Sequence, residues 1–270
     1  MKTKQLWKMF LVTLCTYGMT TDSFAETLAD PCAGPSELLN IIDRPTAGDS
    51  ACVVPYKKAV LEMGYQYQQL THSAGHAQNY PEAELRIGLP YNNEFVMLLP
   101  NYIHVMSPSV SGASATTVGI KHELGYTQHW LGAVESLITL PNGSAVFGSK
   151  GTGVAVNGIV SYTFNPQFNL TFMFGVTSQT TSSALGGQRF ASLNPDLVFT
   201  YSPTQQLDIY GEIYGQTKTG PGLGSGLNFD GGLIYLLMPN IAIDAEIGRR
   251  ISGTLAGFNQ YIGTGISLMF

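Results

Sequence analysis

The sequence predicts an all-β protein, a transmembrane antiparallel β-barrel of about twelve strands. Three observations predict it: the alternation that ends the chain, a low content of charge, and turn signals at regular spacing. In residues 260–270, Phe270, Leu268 and Ile266 fall on one face of a strand, and Met269 and Ser267 on the other. This period of two is that of a β-strand. A last strand that ends in phenylalanine is typical of bacterial outer-membrane barrels, and we expect Phe270 to be the signal read by the barrel-assembly machinery.

The composition agrees with a barrel in a membrane. Charged residues make up 11% of the chain, against about 25% in ordinary soluble domains. No apolar run after the N-terminus is long enough for a spanning helix, which needs about 20 residues. Low charge with alternating hydrophobicity suits a barrel, because only every second residue of each strand meets lipid. We therefore expect outer-membrane lipids as partners.

The strand count follows from the connections. Alternation begins at Ala59, where Leu61, Met63 and Tyr65 oppose Glu62 and Gly64. Five short turns and six long loops predict twelve strands with both ends in the periplasm. Pro100 and Pro195 each predict a bulge or a shortened strand, since proline cannot donate to a sheet ladder, so ten strands remain an alternative. The short turns lie near 90–93, 125–127, 165–167, 203–205 and 238–240, and the long loops near 71–80, 107–115, 141–151, 178–190, 217–226 and 250–259.

Residues 1–25 predict a secretory signal peptide. Three lysines precede an apolar stretch, and Ser23-Phe24-Ala25 provides a small-x-small cleavage site. Its removal leaves 10 basic and 17 acidic residues, a net charge of −7. This acidic balance argues against nucleic acid as a partner.

Residues 26–58 do not alternate like the barrel at 59–270. Cys32 and Cys52 are the only cysteines of the mature chain, and in an exported protein they predict one disulfide. Ser36 is predicted to cap a short helix from Glu37 to Asp43. The apolar side of this helix must be buried. Either the segment plugs the barrel, or it is a periplasmic extension that meets a partner.

Charged side chains on the inward register form the candidate functional site. One interpretation is a polar pore with a mild preference for cations or for polarisable neutral solutes. The other is a salt-bridged core that closes a narrow barrel. Twelve strands fall between filled barrels of about eight and open channels of about sixteen. Glu62 and Arg86 should lie at similar height on adjacent strands, and no metal or cofactor is expected. The residues predicted to face the lumen are Glu62, Glu82, Glu84, Arg86, Lys121, Glu123, Glu135, Asp208, Glu212, Asp230, Asp244 and Glu246.

Two other classes of function are alternatives to a pore. A barrel that hydrolyses lipids needs a serine and a histidine near the outer rim, where the sequence places only His72 and His76, beside Ser73. A glycine-rich loop is a poor frame for such a pair, and His122 is predicted to lie at the periplasmic headgroups near Trp130. We therefore expect no enzyme. The loops rich in serine and threonine leave a sealed structural or adhesive barrel as an alternative.

Several segments resemble a known family of barrel proteins, grouped as transporters of a phenol-degradation meta-pathway. The resemblance spans most of 59–270, with Arg86 and Lys121 at matching positions, and it departs at Pro141-Asn142-Gly143, where the family has Pro-Thr-Gly. It implies an outer-membrane barrel that passes small hydrophobic or aromatic compounds. Nothing in it covers residues 32–52. The segments that carry it begin at Leu61 (LEMGY), Pro81 (PEAELRIGLP), Val118 (VGIKHE), Leu140 (LPNGS), Asn194 (NPDL) and Leu207 (LDIYGE).

Overall fold

The computed structural model describes residues 29–71 and 75–270. The predicted signal peptide, residues 1–25, lies outside the described residues, as do His72 and Ser73. One short α-helix, α1, spans Glu37–Ile41, and two turns of 3₁₀ helix span Ser183–Leu185 and Leu255–Gly257. None of the helices in the described ranges is long and apolar enough to cross a bilayer.

Fifteen β-segments in the described ranges form one antiparallel sheet, which closes on itself through its first and last segments. They are β1 Ala59–Leu70, β2 His76–Tyr80, β3 Glu84–Leu89, β4 Asn93–Leu98, β5 Tyr102–Met106, β6 Ser109–Ala113, β7 Thr117–Tyr126, β8 Trp130–Thr139, β9 Gly153–Asn165, β10 Phe168–Thr180, β11 Arg189–Thr204, β12 Leu207–Gln216, β13 Gly226–Met238, β14 Ile241–Ser252 and β15 Phe258–Met269.

These segments make a barrel of twelve strands, because three strands are each broken into two. β2 and β3 both pair with β1 and are separated by residues 81–83. β4 and β5 form one strand broken around Pro100, and β6 and β7 form another broken at 114–116. The prediction of twelve strands is confirmed, and so is the interruption at Pro100. The breaks at 81–83 and 114–116 were not predicted.

The interruption predicted at Pro195 is wrong. β11 runs through this residue, and Pro195 stands opposite Phe174 of β10. The pairing of β11 with β12 begins only at the next residue, Asp196. The proline therefore ends the ladder on one side, where an N–H would have to donate, and leaves the other side intact.

The chain ends close the barrel. β1 pairs with β15 from Val60 to Leu70, and beyond this ladder the N–H of Phe270 donates to the carbonyl of Ala59 at 2.8 Å, while Ala59 donates back at 3.1 Å. The side chain of Phe270 is 71% exposed. Phe270 is thus held through its backbone, and its side chain is mostly exposed.

The outer wall is apolar and suits lipid. Outward residues alternate with buried ones along each strand, as in β14, where Ile243 and Ile247 are exposed and Asp244 and Glu246 are buried. An aromatic cluster at the periplasmic end joins Trp130 to Tyr162, with ring centroids 4.6 Å apart. Such a wall with aromatic girdles belongs in an outer membrane. Other exposed outward side chains are Ile87, Ile120, Val156, Val160, Phe172, Phe174, Val176, Leu197, Phe199, Ile209, Ile213, Leu233 and Ile262.

The middle of the segment 29–58 lies inside the barrel, and its two ends are exposed. Leu38 and Ile41 of α1 are fully buried, and α1 contacts β13 and β14. The predicted disulfide is present, with the Cα atoms of Cys32 and Cys52 5.6 Å apart. The helix was predicted two residues too long. Its predicted cap is wrong as well, because the hydroxyl of Ser36 donates to the carbonyl of Gln205, at 2.7 Å, instead of capping α1.

Replacement of Phe270 by alanine should lower the cellular yield of folded, heat-modifiable barrel severalfold and leave refolding in detergent unchanged. The physical reason is that an exposed ring contributes little to the finished fold, so its value lies in recognition during assembly. The matched control is Tyr91→Ala, which removes an aromatic side chain that is 90% exposed in the first periplasmic turn. Equal yields of both variants would remove the role of Phe270 as an assembly signal.

Candidate functional site: the barrel lumen

The structure places all twelve predicted charges inside the barrel. Ten are buried, and Glu82 and Glu84 are half-buried. Glu82 lies in the break between β2 and β3 with a positive φ of 44°, and the other eleven alternate inward from their strands. What sequence reasoning could not show is how the charges are distributed and what residues 29–58 do among them.

Arg86 is the centre of the largest ion-pair network. Its guanidinium lies 3.0 Å from Asp43, 3.4 Å from Glu62 and 2.8 Å from Glu94, and it is fully buried. It also donates to the carbonyl of Cys52 at 3.2 Å. The contact with Glu62 agrees with the equal height predicted for these two residues. A cation this deeply buried is tolerable only because several acceptors surround it.

Lys121 extends the network to β7, which pairs with β4. Its ammonium lies 3.2 Å from both Asp43 and Glu94 and donates to the carbonyl of Ser50 at 3.0 Å. Asp43 therefore bridges Arg86 and Lys121, two cations of the wall, from within the N-terminal segment. Burial raises the pKa of Asp43 to about 6, against the lowering effect of both cations.

Arg44, the residue after Asp43, lies near the seam where β1 pairs with β15. It pairs with Glu82 at 2.8 Å, with Asp244 at 3.3 Å and with Glu246 at 3.6 Å. The three carboxylates come from two regions of the wall, β14 and the break before β3. One arginine of the segment thus neutralises acids that would otherwise lie buried without a cation.

The wall is shaped to admit this arginine. Gly64 of β1 stands opposite Gly265 of β15, and a Cβ at either position would overlap the guanidinium of Arg44. Glycine at both positions allows close approach of another group to the sheet. The two glycines are visible in the sequence, but the reason for them is the side chain of Arg44, which is distant from Gly265 in the chain.

Residues 46–48, the tip of the segment, are held through backbone N–H groups. Glu212 accepts hydrogen bonds from the N–H groups of Ala47, at 2.9 Å, and Gly48, at 2.8 Å. Glu94 accepts another from Val54 at 2.6 Å. Luminal carboxylates thus serve as acceptors for a segment that has little secondary structure of its own, which satisfies N–H groups that burial would otherwise penalise.

On β11–β13, across the lumen from these cations, the charged side chains that face inward in the described residues are acids. Asp196, Asp208, Glu212 and Asp230 lie on β11, β12 and β13, and none forms an ion pair among the described residues. Asp230 accepts a hydrogen bond from the hydroxyl of Tyr261 at 2.6 Å. The positive charge of the lumen is concentrated near β1, β3 and β7, and the excess negative charge faces it across the barrel.

A cavity of about 460 Å³ lies between the segment and the wall formed by β8–β12, except at Ala47 and Gly48, which contact this wall at Glu212. It begins at the periplasmic turns at 127–130 and 165–168 and extends to Thr46 and Gly48 at the tip of the segment. The segment lines it with apolar groups, among them Leu39 and Ile42, and also with polar and charged groups, among them Asn40, Arg44 and Asp49. The barrel wall lines it mainly with hydroxyls and amides, namely Ser161, Thr163, Asn169, Thr171, Thr200 and Ser202, together with Asp208.

One acidic group has the spacing of a metal site. Oxygens of Asp43, Glu62 and Glu84 lie within 4.8 Å of one another. Arg86 already supplies positive charge to Asp43 and Glu62, so the arrangement is accounted for without a metal ion.

Sequence reasoning missed Asp43, Arg44, Glu94 and Asp196. Glu94 and Asp196 could have been found from alternation, since they share the inward register with the buried Val96 and Val198. Glu94 directly follows the turn predicted at 90–93, and Asp196 directly follows Pro195, where an interruption was predicted. No pattern within residues 26–58 marks Asp43 and Arg44, because their ion-pair partners lie in the barrel wall, 38 residues or more along the chain.

A closed barrel with an apolar outer wall and a charged, partly filled lumen defines an outer-membrane β-barrel protein. The chain belongs to the family described as "Putative MetA-pathway of phenol degradation", which matches residues 42–270. The matched range begins inside the N-terminal segment and includes Asp43 and Arg44. None of the curated proteins compared with the chain matches it.

Solved structures with the same fold are channels and porins. The COG4313 outer membrane channel from Pseudomonas putida F1 is 10% identical with a TM-score of 0.65, over 84% of this chain and 100% of that one. The NanC porin is 14% identical with a TM-score of 0.55, over 78% and 98% of the two chains. The KdgM porin is 9% identical with a TM-score of 0.54, over 77% and 99%. At these identities the likeness shows a shared fold.

Replacement of Arg44 by glutamine should loosen the segment and raise the frequency of open events in planar-bilayer recordings. The change leaves three carboxylates near the lumen without their cation, and breaking a buried pair costs about 3–5 kcal/mol. The matched control is Lys58→Gln, which removes the half-exposed pair with Glu37, worth about 0–1 kcal/mol. If the two variants open equally often, Arg44 does not hold the segment in place.

Proposed function

We propose that the protein is a passive outer-membrane channel for small molecules, with the segment 29–58 as an occluding plug. The observation that carries the proposal is the cavity between the plug and the strands β8–β12. It reaches from the periplasmic mouth into the barrel, so the part of the lumen beside the plug is not filled by side chains. Membership of the family and the shared fold of the channels and porins support the proposal.

The plug fills only part of the lumen. Asp43 and Arg44 hold it against the charged wall near β1, β3, β7 and β14, and the cavity lies on the other side. A solute can therefore follow the cavity as far as the tip of the plug, near Gly48. Passage beyond this point requires the tip to move away from Glu212, which holds it by two backbone hydrogen bonds.

The lining favours small molecules with one apolar face and one hydroxyl group. Leu39 and Ile42 of the plug provide the apolar side, and Thr171, Thr200 and Ser202 of the wall provide hydrogen-bonding groups. Such two-sided lining is typical of sites that orient amphipathic ligands. A phenol has this chemistry, in keeping with the description of the family. The excess of acids near Asp208 favours neutral or cationic solutes over anions.

An enzymatic function is not part of the proposal. Nδ1 of His104 on β5 lies 2.7 Å from the hydroxyl of Ser111 on β6, which is a serine–histidine contact that the sequence did not predict. A catalytic triad also needs a group that orients the histidine, and no carboxylate bonds to His104 in the described part of the chain. The pair is explained as a cross-strand hydrogen bond at directly opposed positions.

A sealed structural barrel is the competing function, favoured by the dense ion pairs around Arg86. Single-channel recording of the full-length protein in potassium chloride separates the two. We expect brief current steps that phenol interrupts in a concentration-dependent manner, because phenol fits the two-sided cavity. Glucose, which has no comparable apolar face, should interrupt the current far less. Silence of both the native protein and the Arg44→Gln variant would favour the sealed barrel.

Replacement of Asp208 by asparagine should lower the preference for cations severalfold. Asp208 lines the cavity and has no cationic partner in the described residues, so its charge acts on ions that pass. The measurement is the reversal potential in a gradient of potassium chloride. Thr200→Val alters the same stretch of wall without a change of charge and should leave the reversal potential unaltered. An unaltered value in Asp208→Asn as well would place the ion path outside this cavity.

A further inference from the structure

A second cavity lies on the outer wall, away from the lumen. It has a volume of about 720 Å³ and is formed where β1, β13, β14 and β15 meet the loop-bearing end of the barrel. Ile247 and Ile262, which stand directly opposite each other, are 65% and 60% exposed there. Phe229 and Tyr67 also line it. The groove is therefore on the lipid-facing register of the strands.

The register of the strands arranges the residues in and below the groove in three levels. The level nearer the loops contains Phe229, Arg249, Gln260, Gln69 and His76, each opposite the next on neighbouring strands. It thus carries one fixed cation, two amides and an imidazole.

The next level contains Gly231, Ile247, Ile262 and Tyr67, and the one below it Leu233, Ala245, Thr264 and Tyr65. Gly231 and Ala245 add little bulk to the outer wall beside and below the cavity. A polar level above an apolar channel is therefore built into the pairing of the strands.

The height of Arg249 agrees with the membrane boundary. It lies eight residues after Ile241, the first residue of β14, which is about 26 Å along a strand. A tilt of about 40° reduces this to about 20 Å in height, near the outer edge of an apolar band about 25 Å tall. An exposed arginine that points toward lipid at this level meets headgroups of the outer leaflet. No ion pair of Arg249 occurs among the described residues.

We propose that this groove binds a phosphorylated glycolipid of the outer leaflet, with a phosphate at Arg249 and one acyl chain along Ile247 and Ile262. Charge complementarity selects the occupant, because a guanidinium recognises phosphate with two parallel hydrogen bonds. Gln69 and Gln260 donate to the remaining phosphate or sugar oxygens. The site is independent of the lumen, so it stands whether or not the barrel conducts.

The test is native mass spectrometry of the full-length folded protein, released from detergent micelles that contain diphosphoryl lipid A. We expect one retained lipid A molecule, and in Arg249→Gln a loss of apparent affinity of about fivefold, the effect of one basic residue near an anionic lipid surface. The matched control is Arg250→Gln. Arg250 is the next residue of β14, on the opposite face, where it donates to the carbonyl of Gly253 at 3.0 Å. This variant should retain lipid A like the native protein.

Three results would overturn the proposal. Equal losses in Arg249→Gln and Arg250→Gln would show a general effect of charge. Equal retention of dephosphorylated lipid A would show that the phosphate is not recognised. Displacement of lipid A by inorganic phosphate would identify a site for a free anion instead of a lipid. Heat modifiability of each variant establishes that the barrel is folded, so a loss of retention reports on the groove.

Discussion

The structure depends on the compensation of two buried cations, Arg86 and Lys121. Neither could remain charged in the lumen without acceptors, because an unpaired charge in a low-dielectric interior is very costly. The wall supplies Glu62 and Glu94, and the N-terminal segment supplies Asp43, which touches both cations. The position of the segment is therefore an electrostatic requirement of the wall as much as a matter of apolar packing by Leu38 and Ile41.

This requirement makes the lumen asymmetric. The segment is bound to the side that carries the cations, and its own Arg44 neutralises acids near the seam of the barrel. The strands β11–β13 carry acids without cations, and the cavity opens beside the segment toward them and the hydroxyl-lined wall of β9–β11. The ion pairs of the segment and the cavity thus lie on different sides of the lumen, an arrangement that the proposed passage of a solute beside the plug requires.

Local patterns predicted the barrel, and distant partners decided its interior. Alternation and turn spacing are properties of single strands, so the twelve strands, the inward charges and the break at Pro100 could be read from the sequence. Pro195 was misread because a proline blocks the ladder on one side of a strand only. The predicted helix cap was wrong because the hydroxyl of Ser36 donates to a carbonyl 169 residues away. Asp43, Arg44 and the paired glycines Gly64 and Gly265 have meaning only once the segment is inside the barrel.

The contacts that hold the plug are suited to a plug that moves. Buried ion pairs gain little net free energy, because desolvation offsets most of the attraction. Withdrawal into water would restore solvation to Asp43 and Arg44 while Arg86 kept Glu62 and Glu94 as partners. The disulfide between Cys32 and Cys52 closes a loop that includes α1 and the tip, so these parts would leave together. An apolar plug of equal size would lose its whole hydrophobic contribution on exposure to water. The ion pairs thus fix the position of the segment while adding less resistance to its release than the apolar packing of Leu38 and Ile41 does, which suits the proposed role of an occluding plug.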